Sequence, residues 1–182
     1  PTGFADLAYP DGQLEAARAA SRANALLILS HCSCTTMERA AAEGGDGPRM
    51  VQIFPWKDRG VTASFVRRAE RLGYKGVVLT IDNNVPGKRL VDLRNGLQIP
   101  PRVTPSIVID GLMHLSWTLR MGPMRLLDPS RLTAILYQGA GAGAPEEPAE
   151  LTGYMLTQLN ARADWDELRY VRSIYKATHS AA

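Results

Sequence analysis

Three short apolar runs, each alternating with a stretch of helical spacing, constrain this chain more than any other feature of its sequence. Ala25–Ser30 has no polar alternation, Arg49–Phe54 is closed by Pro55, and Gly76–Asp82 is apolar almost throughout, with polar residues at its carboxyl end. Runs of this length and character fit strands covered on both faces, as parallel strands are. The stretches between them read as helices. Asp11–Ala23 is rich in Ala, Leu, Glu and Arg, with Asp11 placed to cap orphan amides. Thr35-Thr-Met-Glu38 has the spacing of a capping box, and the helix it opens should stop near Gly44 and Gly45. Val61, Phe65, Val66, Ala69 and Leu72 fall on one helical face, with Gly73 as the expected stop. Alternation with short connections predicts an α/β fold, either a (β/α) barrel or a doubly wound sheet. No glycine-rich dinucleotide fingerprint is present.

The rhythm breaks from about residue 83 to 150, where most of the prolines and the low-complexity piece Gly139–Ala144 lie. This reads as a long excursion. Helical spacing then returns, with Asp164 and Glu167 placed as a second capping box. Leu168, Val171 and Ile174 fall on one face, and Tyr154, Trp165 and Tyr170 read as helix packing. The opening at Pro1 suggests a truncated start or a removed initiator Met, and the end falls where another strand would begin. At 45% hydrophobic and 21% charged residues, the 182-residue chain has the balance of one folded domain rather than a disordered tail. Its charge of +3 comes from 21 Lys and Arg against 18 Asp and Glu, without basic blocks, which argues against a nucleic-acid binder. Cys32 and Cys34, one residue apart, offer no disulfide framework, so a cytoplasmic setting is expected. Apolar runs stay far below the roughly 20 residues a membrane-spanning helix needs.

Polar residues at strand carboxyl ends, Ser30, Gln52, Thr80 and Asp82, are the candidates for chemistry, because barrel sites are built there. Taken singly, such residues more often cap a helix or satisfy backbone groups. His31, Cys32 and Cys34 are metal-ligand types, but they crowd together with no second cluster, so no metal is expected.

Read together, the motifs resemble the FMN-dependent α-hydroxy-acid oxidases and dehydrogenases. They run through Pro1-Thr-Gly3, Tyr9-Pro-Asp-Gly12, Ala16-Ala-Arg-Ala-Ala20, Leu29-Ser30, Val51-Gln-Ile-Phe54, Lys57-Asp-Arg59, Val66-Arg-Arg-Ala-Glu70 and Leu79-Thr-Ile-Asp82. Gly87-Lys-Arg89, Asp92-Leu-Arg-Asn95, Pro100-Pro101 and Trp165-Asp-Glu-Leu168 complete the set. The resemblance implies part of a (β/α)8 TIM barrel, from the end of the first strand through the fourth helix, with residues 96–150 as an inserted excursion. It implies FMN at the carboxyl face and oxidation of an L-2-hydroxy acid, lactate-like, to the 2-keto acid. Thr2 and Gly3 would let the flavin approach, and Ser30, Gln52 and Thr80 would hydrogen-bond its ring. Arg89 would grip the substrate carboxylate.

Departures from the family pattern reshape the substrate side. Phe54 stands where a tyrosine is common, Cys32 where many members have Trp, and His31 where Ser is common. The family's proton-abstracting His, second Arg and flavin-side Lys belong to the second half of the barrel, and neither His31, His114 nor His179 stands in that motif context. No catalytic base is nominated, and the chain alone is expected not to turn over. A complementary barrel half or self-association would cover its edges and supply those groups. Within the excursion, residues 111–138 mix Leu, Met and Trp with Arg120, Arg125 and Arg131, compatible with an anionic membrane surface. The alternative is a lid or subunit-contact segment. The rival to an enzyme half is a non-catalytic half-barrel acting only as an interaction or membrane-surface module.

Overall fold

The computed structural model describes residues 1–82, 90–94, 104–120 and 157–175. A short 3-10 turn at Ala5–Leu7 leads into α1 (Gly12–Arg22), β1 (Leu27–Leu29), α2 (Met37–Glu43), β2 (Arg49–Ile53), α3 (Arg59–Arg71) and β3 (Val77–Leu79). Then come α4 (Leu90–Arg94), α5 (Pro105–Met113), a further helical stretch at 115–120, and α6 (Trp165–Ile174).

The three strands form one parallel sheet in the order β1-β2-β3, with Leu29 beside Val51 and Ile53 beside Leu79. Side chains alternate across a strand, so Leu29, Val51 and Ile53 share one face. That face carries the core: Met37 and Ala40 of α2, Phe65, Val66 and Ala69 of α3, and Val171 and Tyr175 at α6 all join the same cluster. Both crossover helices therefore lie on one side of the sheet, and the strand order has no reversal among the described strands. A doubly wound sheet would place helices on both faces and reverse its order at a switch point. Of the two architectures left open by the sequence, the barrel type fits.

Local signals landed with instructive shifts. Asp11 is the residue before α1, but it sits at φ 52°, makes no capping bond, and pairs with Arg39 at 2.9 Å. The first-turn amide of Gln13 is instead held by Asp6 Oδ1 at 2.9 Å, a buried carboxylate seven residues upstream. The α2 cap is Thr36, whose hydroxyl accepts from Arg39 N, rather than Thr35. Glu38 does not close the box; it pairs with Arg68 of α3 at 2.9 Å. Gly45 and Gly73 both adopt positive φ, 85° and 73°, where the helix stops were expected.

Asp164 does cap α6, accepting from Asp166 N at 2.8 Å, while Glu167 turns away to Arg59 at 2.8 Å. The Glu167 side chain is buried, so this pair, with the Tyr170 hydroxyl donating to Arg59 O at 3.1 Å, clamps α6 to the start of α3. Val171 and Ile174 face the core as expected, whereas Leu168 is exposed and Trp165 is 73% exposed. The reading of Trp165 as helix packing is corrected; Tyr154 lies outside the described residues.

Candidate active site

The carboxyl ends of β1, β2 and β3 bring Ser30, Gln52 and Thr80 together. Gln52 is 3% exposed and Ser30 is buried, so each needs hydrogen-bond partners within the chain. The Gln52 carboxamide can be oriented without ambiguity. Its Oε1 accepts the main-chain N–H of His31 at 3.1 Å, and a main-chain N–H can only donate. The rest of the chain of bonds follows. Cys32 N donates to Ser30 Oγ at 3.2 Å, Ser30 Oγ donates to Gln52 Oε1 at 3.3 Å, and Gln52 Nε2 donates to Thr80 Oγ1 at 2.8 Å. Thr80 accepts there, which leaves its hydroxyl hydrogen to donate outward, beside the second Nε2 hydrogen of Gln52. The sheet end thus presents neighbouring donors held on three rigid strands.

Thr2 and Gly3 lie against this network. Gln13 Nε2 donates to Thr2 O at 2.8 Å, and Phe4 N donates to Cys32 O at 3.0 Å. A Cβ on Gly3 would sit 3.0 Å from Cys32 Cβ, so any side chain there would push these two segments apart by a few tenths of an ångström. The physical demand at Gly3 is therefore from Cys32. Burial pushes the Cys32 thiol pKa up, so it remains a neutral thiol.

Phe54, half-buried, flanks the network beside His31, with ring centroids 5.8 Å apart. His31 itself is turned into an aromatic slot, stacked on Trp56 at 5.5 Å and tilted against Phe65 at 4.7 Å. Its Nδ1 accepts from Phe54 N at 3.3 Å. Burial lowers its pKa to about 4, which keeps the ring neutral at pH 7. His114 is exposed on the end of α5, near Asp110 at 3.4 Å. Arg89 and His179 lie outside the described residues. Among the described residues, no three His, Cys, Asp or Glu side chains form a metal-holding group.

Sequence reasoning named His31 but missed what it does here. The available signal was its place between a strand-end Ser and two residues, Phe54 and Trp56, that could enclose a ring. The Arg59–Glu167 clamp carried no local signal, since it acts across 108 residues, and Asp6 lies outside the spacing of any helix cap.

A parallel sheet with α2, α3 and α6 joined to one core face, and with clustered polar donors at its strand carboxyl ends, is the arrangement of a (β/α)-type protein. The chain belongs to the FMN-dependent dehydrogenase family, whose match spans residues 1–178. It is 40% identical to glycolate oxidase from Spinacia oleracea over 104 residues, covering 57% of this chain and 28% of that protein. It is 30% identical to a putative L-lactate dehydrogenase from Mycobacterium tuberculosis over 173 residues, covering 95% of this chain and 39% of that one. Among solved structures, monotopic membrane protein (S)-mandelate dehydrogenase superposes with a TM-score of 0.79 at 27% identity, over 97% of this chain and 44% of its own. The chain thus spans less than half the length of these relatives.

Proposed function

We propose that this chain forms the flavin-ring side of an active site that oxidises an L-2-hydroxy acid, lactate-like, to the 2-keto acid. The observation that carries this is the directed hydrogen-bond chain from Cys32 N through Ser30 and Gln52 to Thr80, ending in unspent donors. The residues fit the group. A flavin ring edge carries carbonyl and nitrogen acceptors, and donors fixed on three strands can meet them without reorganising. FMN, when bound, supplies the two-electron acceptor. The chain's own residues bind and orient: Gln52 and Thr80 donate to the ring edge, Ser30 locks Gln52, and the Thr2–Gly3 backbone lies alongside.

On the substrate side, Arg89 is proposed to hold the carboxylate and Phe54 to form an apolar wall. His31 faces the aromatic slot and its Nδ1 is taken by Phe54 N, so it is not assigned as the general base of this site. β1 and β3 each pair on one edge only among the described strands. This supports a working site completed by a complementary barrel half, from a longer form of the polypeptide, a partner, or a second copy.

Titration with FMN, followed by flavin fluorescence, tests the reading. Saturable one-to-one quenching, weakened in Gln52→Leu and Thr80→Val, is expected. Quenching that ignores both substitutions would overturn the assignment. Anaerobic L-lactate is expected to leave bound flavin oxidised; bleaching would sink the claim that the base lies elsewhere.

A second reading is favoured by α5 and the helical stretch at 115–120. Ile109 is 60% exposed, Leu112 67%, Met113 77% and Leu119 65%. Trp117 and Arg120 line a cleft of about 300 Å³ against Tyr9, next to this apolar surface. No described helix is long and apolar enough to cross a membrane. We propose that this segment rests on an anionic membrane surface, a placement supported by the monotopic relative.

A further inference from the structure

We propose that His31 is a positioning residue for the flavin end of the site, tying Gln52 and Phe54 into one fixed arrangement through its main-chain N–H and its Nδ1. The inference rests on the assignment of Gln52 and Phe54 to that site.

Gln52 and Phe54 are two residues apart on one strand end, so they lie on the same side of the sheet, across from the core face. His31 reaches both. Its main-chain N–H donates to Gln52 Oε1 at 3.1 Å, a bond any residue but proline could make. Its Nδ1 accepts the Phe54 amide at 3.3 Å, which only an acceptor at that point can do. The proton of the neutral ring is therefore on Nε2.

Nε2 has no hydrogen-bond partner and the residue is 3% exposed. Leaving a buried donor unsatisfied is unfavourable, and an aliphatic side chain would avoid it. The acceptor at Nδ1 is the feature an aliphatic residue could not supply. The slot that holds the ring comes from α3 and the loop before it. Trp56 N donates to Thr62 Oγ1 at 3.3 Å, fixing Trp56 over the imidazole, and Phe65 closes the other side. The first turns of α3 thus set the ring, and the ring sets the two site residues. The low basicity imposed by burial keeps Nδ1 an acceptor through the neutral range.

The test separates acceptor from bulk. In His31→Asn the side-chain Oδ1 stands at the same bonded distance as Nδ1 and restores the acceptor; His31→Leu fills the slot without it. FMN affinity is expected to fall about tenfold in His31→Leu, a loss of the order of one hydrogen bond, and to stay within about twofold of wild type in His31→Asn. The Phe54 amide proton should move upfield in His31→Leu alone. Equal affinities in the two variants would overturn the proposal. Should the variants not fold, imidazole nitrogen shifts of the wild-type chain decide the matter: the Nε2–H tautomer at pH 7 supports it, and the Nδ1–H tautomer or a charged ring overturns it. A wild-type chain that does not bind FMN would remove the site reading, and the tautomer measurement would still decide whether His31 holds Phe54.

Discussion

The end of β2 and the exposed face of α5 break the usual rule of burial in opposite directions. At β2, polar Gln52 is 3% exposed and neutral His31 is also 3% exposed; on α5, apolar Met113 is 77% exposed and Leu112 67%. Buried polar groups and exposed apolar clusters are the informative departures from a folded protein's pattern. The difference lies in where each finds its partner. Gln52 is held within the chain by three hydrogen bonds, so its geometry exists before any ligand arrives. The α5 side chains stand exposed among the described residues, the kind of apolar surface that marks an interaction site.

That contrast can be broken most forcefully at Phe65, which closes the His31 slot and is 2% exposed. Phe65→Ala is expected to cost about 3–5 kcal/mol, the range for emptying a well-packed aromatic site, read as a lower urea midpoint. The same truncation at Leu112 is expected to stay within about 0.5 kcal/mol, as for a surface position. Similar losses at both would mean that α5 is packed as tightly as the sheet.

Acid sharpens the buried side of the comparison. His31 has a folded-state pKa of about 4 against an ordinary 6.5, caused by burial. The unfolded chain therefore binds a proton that the folded chain refuses as pH falls through 6.5. The contribution of neutral His31 is complete above pH 6.5 and is lost progressively down to about 4, for a total of about 3 kcal/mol. Carboxylates titrate in part of that window, so the measurement is the difference between wild type and His31→Asn in urea midpoint at pH 7 and pH 4.5. A difference independent of pH would show that the ring is not buried neutral.

The sheet and its helices were legible because periodicity reports burial. Ala25–Ser30, Arg49–Phe54 and Gly76–Asp82 each contain an observed strand, and Phe65, Val66 and Ala69 line the core as their spacing requires. Caps were less legible. Thr35 and Thr36 are chemically equivalent in sequence, and only the fold decides that Thr36 meets Arg39 N. Glu167 acts over distance, and Asp6 reaches a helix amide seven residues on, beyond the spacing of a cap, so local spacing is silent on both. Ser30, Gln52 and Thr80 stood out as strand-end polar residues, yet the direction of their bonds depended on the His31 main-chain N–H, which no motif contains.

Gln52→Leu probes the same end with a smaller effect. It strips the acceptor from His31 N–H and Ser30 and the donor from Thr80, leaving buried groups unpaired. A loss of about 2 kcal/mol in unfolding free energy is expected. Thr80→Val, at the half-exposed end of the network, should cost about half of that, on the scale of one net hydrogen bond. Equal costs would mean the network does not run in the direction assigned.

The smallest stability change belongs to α5, and it is coupled to the clearest change in binding. Leu112→Ser with Met113→Ser removes apolar groups that are already in water, so the urea midpoint should barely move, within about 0.5 kcal/mol. If α5 inserts into a membrane surface, each of those side chains leaves water on binding, a gain of about 1.5–3 kcal/mol for full burial. Partial insertion of two such groups still makes the double variant bind vesicles at least about tenfold more weakly. Flotation with vesicles containing anionic lipid reads this directly, and added salt should weaken the wild type further by screening Arg120. A double variant that floats as well as wild type would leave the exposed face to a protein partner. A variant that unfolds would show the face to be covered by this chain after all, and would erase the contrast with β2.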